Sequence, residues 1–175
     1  MKRANKIVYS ILGLLLAAVA LLAYLNRGDA ELRRALAENR EFQIRIDGNY
    51  AATVGLQTLI DIGLQEFTTP LATSISAPRN VTMRGVELRH LLEKLEIDTS
   101  QASHFVVSGM DGHHSPLSSA EVASEELIYI CFAMDGEMLK PQNEGGFGPY
   151  LMVIKGARFA QRWCKYVEAV DVINS

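Results

Sequence analysis

Along the chain the spacing of apolar positions changes character several times, and each change predicts an element. Ile7–Leu25 is an almost unbroken apolar run of nineteen residues. As a helix rising ~1.5 Å per residue, it is long enough to cross the ~30 Å apolar layer of a bilayer. Between Asp29 and Asn39, Leu32 and Leu36 stand four apart in a polar background, the spacing of a short solvated helix. At Glu41–Ile46 the period drops to two, with Phe42, Ile44 and Ile46 alternating against Gln43 and Arg45, and Asp47-Gly48-Asn49 follows as a turn. Leu56, Leu59 and Ile60 return to helical spacing within Val54–Leu64. Glu66–Pro70 reads as extended chain, and the Ser-, Thr- and Pro-rich stretch Leu71–Asn80 as a loop.

Val81 opens a strand that turns at Gly85 into a helix with Leu88, Leu91, Leu92 and Leu95 on one face. His90 falls off that stripe and has no second ligand at a helical offset, so it reads as a surface histidine. Ser103–Val107 is a strand leading into the loop Ser108–Ser115, and Ser118-Ser-Ala-Glu121 has the spacing of a capping box. Leu127–Met134 is a nearly continuous apolar run, the mark of a buried strand, and Asp135-Gly136 turns the chain into Glu137-Met-Leu. The end of the chain reads as a turn at Gly145–Tyr150, a strand at Leu151–Ile154, a basic-aromatic loop at Lys155–Tyr166 and a strand at Val167–Val172. Strands outnumber helices, do not alternate with long ones, and precede no Gly-rich phosphate loop. This pattern excludes a parallel nucleotide-binding sheet and predicts an α+β domain on a mixed sheet.

Charge places these elements. Lys2, Arg3 and Lys6 carry three of the 17 basic residues and none of the 20 acidic ones, so the remainder is acidic and a poor binder of nucleic acid. The apolar run exceeds the ~7–15 residues of a cleaved leader, and Ala-Tyr-Leu before Asn26 does not fit a small-x-small cleavage site. The expected organisation is therefore a cytoplasmic tail at 1–6, a transmembrane signal anchor at 7–25, a stalk at 26–40 and a domain at 41–175. Arg27, Arg33 and Arg34 partly offset the basic tail, but the tail favours N-inside, with the domain in the periplasm of a Gram-negative inner membrane. Cleavage would leave a soluble periplasmic protein instead. Cys131 and Cys164 show neither a disulfide framework nor metal-ligand spacing, and pair only if the fold brings them together.

Candidate chemistry gathers in two places. Lys155, Arg158, Arg162 and Lys165 put four cations into eleven residues, interleaved with Phe159, Trp163 and Tyr166, as on the rim of a pocket for an anionic or ring-shaped ligand. Their plain alternatives are core packing for Phe159 and Trp163, and a solvated or lipid-facing surface for the cations. In Asp111-Gly-His-His-Ser115, adjacent histidines rarely point the same way and no further ligand is spaced nearby. A polar ligand contact therefore fits better than a metal, and Asp111-Gly112 alone reads as a hairpin turn.

Three segments together resemble the molybdopterin-binding domain of the sulfite oxidase superfamily: Arg84-Gly-Val-Glu-Leu-Arg-His-Leu-Leu, Val107-Ser-Gly-Met-Asp-Gly-His, and Met134-Asp-Gly-Glu-Met-Leu through Gly148-Pro-Tyr-Leu-Met-Val-Ile-Lys-Gly to Arg162-Trp-Cys-Lys-Tyr-Val. The resemblance implies that family's mixed-sheet fold and a pterin pocket. Its enzymes hold molybdenum through a cysteine shortly before the Gly-Val-x-Leu segment, and Phe67–Met83 contains none. The expectation is therefore a reduced pterin as ligand, no molybdenum and no catalysis, as in small non-enzymatic relatives that act on the periplasmic region of a membrane-bound cyclic di-GMP synthase or phosphodiesterase. A residual molybdopterin oxidoreductase and a ligand-free scaffold are the alternatives. The expected ligand-binding residues are Asp111 for the amino-pyrimidine edge, with His113, His114 and Ser115 beside it. Trp163 would supply the ring face, Arg158 and Arg162 would meet the ring oxygen or an anionic tail, and Lys165 the phosphate side. Gly145, Gly146 and Gly148 would let backbone approach the ligand.

Overall fold

Two-residue alternation and short helical stripes resolve, in the computed structural model, into a two-sheet domain; residues 2–25, 38–72, 78–157 and 160–175 are described. The chain divides into two units, 1–35 and 36–175. In the first, the backbone is helical over α1 (Lys2–Leu25), and the described side chains are exposed, Leu14 at 73%. Among the described residues no helix is long and apolar enough to cross a membrane. Most of the expected stalk, 26–37, lies outside the described residues.

In the second unit the elements are β1 (Glu41–Ile46), β2 (Asn49–Gly55), α2 (Leu56–Ile62), β3 (Gln65–Leu71), β4 (Arg79–Glu87), α3 (Leu88–Lys94), β5 (Ala102–Gly109), β6 (His114–Ser118), α4 (Ser119–Ala123), β7 (Ile128–Met134), β8 (Glu137–Met138), β9 (Leu151–Ile154) and β10 (Val167–Asn174). One sheet runs β2-β1-β10-β5-β6. The other runs β3-β4-β7-β8, with β9 also on β7. The pairing of β1 with β10 is parallel and the remaining strand pairings are antiparallel, so the fold is the mixed-sheet α+β architecture expected. Inward residues of both sheets share one core: Phe42, Ile44, Val107 and Val170 from the first, and Met83, Ile130 and Val153 from the second. The leucine stripe of α3 joins it through Leu88, Leu91 and Leu92. Burial is nearly complete along β7, which explains its unbroken apolar run.

Three local expectations are corrected. Gly85 is not a turn: β4 runs through it, and the position sits at an irregularity where the strand lies hard against β7. Ser108–Ser115 is not an open loop but the tight end of the β5–β6 hairpin. Residues 49–55 form an unforeseen edge strand whose side chains are mostly exposed, so alternation never marked it. His90 lies at the surface as expected, with Nδ1 3.6 Å from the buried Glu87 carboxylate. That carboxylate also accepts from the Glu126 amide at 3.0 Å and tethers the approach to β7.

Candidate functional site

The site is built from two segments that meet. The first is the β5–β6 turn. The Gly109 amide donates to the His113 carbonyl at 2.8 Å, the Gly112 amide donates to the Gly109 carbonyl at 2.9 Å, and Gly112 sits at φ +81°, a backbone that favours glycine. Asp111 Oδ1 accepts from the His113 amide at 3.1 Å, so this carboxylate helps shape the turn and remains exposed. Along β6, alternation turns Ser115 inward and His114 outward. Ser115 is 2% exposed, whereas His114 lies on the open face with Nδ1 2.9 Å from Ser108 Oγ.

The second segment, 160–166, leads into β10. Ser115 Oγ donates to the Arg162 carbonyl at 2.7 Å and the Met110 amide donates to the Tyr166 carbonyl at 3.0 Å, fastening the hairpin to it. Cys164 exchanges backbone bonds with Met152 of β9. Trp163 is only 4% exposed and its indole donates to the Ile154 carbonyl at 3.3 Å. Its ring therefore belongs to the core and offers no open face. The Lys165 ammonium stands 4.4 Å from the Phe147 ring centroid.

Arg162 grips α4. Its guanidinium donates to both Glu121 oxygens, at 2.7 and 3.2 Å, and to the Pro116 carbonyl at 2.9 Å. Glu121 closes the capping box foreseen at Ser118. The Arg162 bond first, and the Ser118 amide second, hold its carboxyl down at about 2. Because the folded carboxyl titrates below its ordinary 4.5, this contribution is complete above about pH 5 and is lost as the pH falls toward 2. Arg162 is half exposed, so solvent screening limits the contribution to about 1 kcal/mol. Urea unfolding between about pH 6 and about pH 2.5 should show wild type losing roughly that much more stability than Glu121→Gln.

The structure thus brings together Asp111, His113, Ser115, Arg162, Trp163 and Lys165, turns His114 to the other face, and leaves Arg158 outside the described residues. Phe147, Glu121 and Tyr166 were missed as site residues. The Gly-Phe-Gly setting of Phe147 was a signal, since an aromatic between glycines has no neighbouring side chains to cover it. The flanking glycines approach protein rather than ligand: a Cβ on Gly148 would come within 2.6 Å of the Leu139 carbonyl. A separate groove of about 370 Å³ lies beyond α4, lined by Arg89, Leu92, Phe105, Ser119 and Val122 among others, and contains none of the expected residues.

Thiolate ligation of molybdenum does not suit these donors. Cys131 and Cys164 are both free and buried. Burial pushes both thiols up, Cys164 to about 12 with help from the Asp111 charge. Among the described residues no cluster of three or more His, Cys, Asp or Glu side chains is placed to hold a metal ion.

No curated protein matches the chain. Among solved structures it is similar to the sulfane dehydrogenase SoxCD from Paracoccus pantotrophus, at 14% identity and a TM-score of 0.59. That match covers 77% of this chain but only 38% of the SoxCD chain, so the likeness is one of fold. The family is shown by the sequence: residues 31–175, the whole two-sheet domain included, match the oxidoreductase molybdopterin-binding domain. The chain belongs to that family.

Proposed function

We propose that the chain is a membrane-anchored pterin-binding sensor of the periplasm, which acts by contact on the periplasmic region of a membrane-bound cyclic di-GMP synthase or phosphodiesterase. One observation carries the non-catalytic part: the hairpin end and the 160–166 segment are fastened together as a polar layer, while both thiols lie buried beneath the surface. A family member without an accessible thiolate retains a surface for the organic ring and lacks the ligand that its metal needs.

In this reading the pterin ring packs on the edge of Phe147, not on Trp163, and Lys165, 4.4 Å over the Phe147 ring, is the neighbouring donor and cation. Asp111 and His113 offer exposed polar groups at the hairpin tip. Arg162 holds the rim in place through Glu121 instead of reaching for ligand. Ile7–Leu25 anchors the chain, and the acidic domain keeps it off nucleic acid.

The family's own name and the likeness to a sulfane dehydrogenase favour a second reading, an oxidoreductase that uses molybdopterin. Metal analysis of the purified full chain separates the two. The sensor reading expects molybdenum far below one atom per chain. One atom per chain, retained through gel filtration, establishes the second reading instead.

A further inference from the structure

Six described residues other than glycine hold left-handed backbone, four of them (Asp47, Glu96, Glu126 and Asp135) in turns elsewhere and two, Tyr166 at φ +55° and Arg40 at φ +52°, joined through one short segment. Such residues persist where their surroundings over-determine them. The four-residue segment 147–150 connects them. The Tyr166 amide donates to the Phe147 carbonyl at 3.1 Å and the Val167 amide donates to the Tyr150 carbonyl at 3.0 Å. At the other end of the segment, Tyr150 Oη donates to the Arg40 carbonyl at 2.8 Å.

This segment has little freedom to absorb a displacement. The Gly148 amide donates to the Lys140 carbonyl at 2.8 Å, and Gly146 and Gly148 pack so closely on Leu139 and Lys140 that neither has room for a Cβ. Tyr150 is 1% exposed, with its ring edge-on to Phe42 at 5.0 Å. Burial lifts its phenol to about 12, so the hydroxyl keeps the proton it donates. Arg40 immediately precedes β1, on the side of the chain that leads back to the anchor.

We propose that Tyr150 is a latch that passes the state of the Phe147–Lys165 surface to the backbone at Arg40, where the domain joins the chain to its anchor. This assigns a regulatory output to the site of the preceding reading and rests on it. A ligand that presses Phe147 or lifts Lys165 moves a segment that is stiff over four residues, and the Tyr150 hydroxyl transmits the shift to a carbonyl held in a strained turn.

The test is a double-mutant cycle read by amide hydrogen exchange at residues 40–42 of the full chain in detergent micelles. Phe147→Ala should speed exchange there by about three- to tenfold when Tyr150 is present, the range expected for loosening one hydrogen bond. It should change exchange by less than about twofold in the Tyr150→Phe background. An equal rise in both backgrounds, or no rise in the first, overturns the latch. Tyr150→Phe keeps the ring on Phe42, and a thermal melt checks its fold. Should it not fold, Tyr150→Met, which fills much of the same space and has no hydroxyl for the Arg40 carbonyl, serves as the uncoupled background with the same two outcomes. Adding a tetrahydropterin distinguishes this proposal from the reading beneath it. Binding that slows exchange at 40–42 only with Tyr150 present supports both. Binding with no effect there overturns the latch as the output of the site. Absence of binding overturns the pterin reading, and the cycle alone then decides the coupling.

Discussion

Trp163→Ala is expected to lower the unfolding free energy by about 3–5 kcal/mol in urea denaturation, the usual cost of deleting a large buried aromatic ring. Trp163 is almost fully enclosed within the core cluster, and its indole N–H is matched to the Ile154 carbonyl at the end of β9. Truncation removes the packing and leaves that carbonyl without its donor. Had the ring been an open platform for a ligand, truncation would cost less than about 1 kcal/mol and appear chiefly as lost binding. Phe147→Ala is expected to behave in that second manner, because Phe147 is only partly buried and lies under Lys165.

Gly85→Ala should destabilise by about 3 kcal/mol or more, enough to send much of the protein into aggregates on expression. A Cβ there would stand 2.7 Å from the Cys131 Cα and 2.8 Å from the Ile130 carbonyl carbon, and would meet the Ile130 oxygen more closely still. All three are backbone atoms of β7, the strand both sheet partners lean on, and backbone cannot swing aside as a flexible side chain can. Gly112→Ala gives the contrast. It has open space around it but a left-handed φ, so the expected cost is about 1 kcal/mol. Denaturant midpoints of the two variants separate close approach from backbone conformation.

Much of the fold could be read in the sequence because its signals are local. The alternation at Glu41–Ile46, the leucines of α3, the unbroken run of β7 and the Ser118–Glu121 box each report an environment within a few residues. β2 was not readable because an edge strand exposed along most of its length has no apolar rhythm. Gly85 was misread for a different reason: its glycine answers to a strand about 45 residues away, and a lone glycine gives the same signal for a turn as for close approach. At the site, the meeting of the Asp111 hairpin with the 162–165 stretch was anticipated through family resemblance. The roles of the side chains were not. Whether an aromatic stacks on ligand or fills the core, and whether an arginine faces solvent or a glutamate 41 residues away, depends on tertiary placement that spacing does not encode. Lys165 and Arg162 look alike in the sequence. In the fold, one remains over an aromatic ring and the other is held by Glu121.

The proposed sensor binds a pterin without its metal. The most direct test is calorimetric titration of the compact unit 36–175 with a tetrahydropterin under reducing, metal-free conditions, in wild type and Lys165→Ala. Saturable one-to-one binding is expected, weakened by at least about tenfold in Lys165→Ala with the thermal midpoint little changed. Absence of saturable binding, or equal affinity in the two proteins, would contradict it.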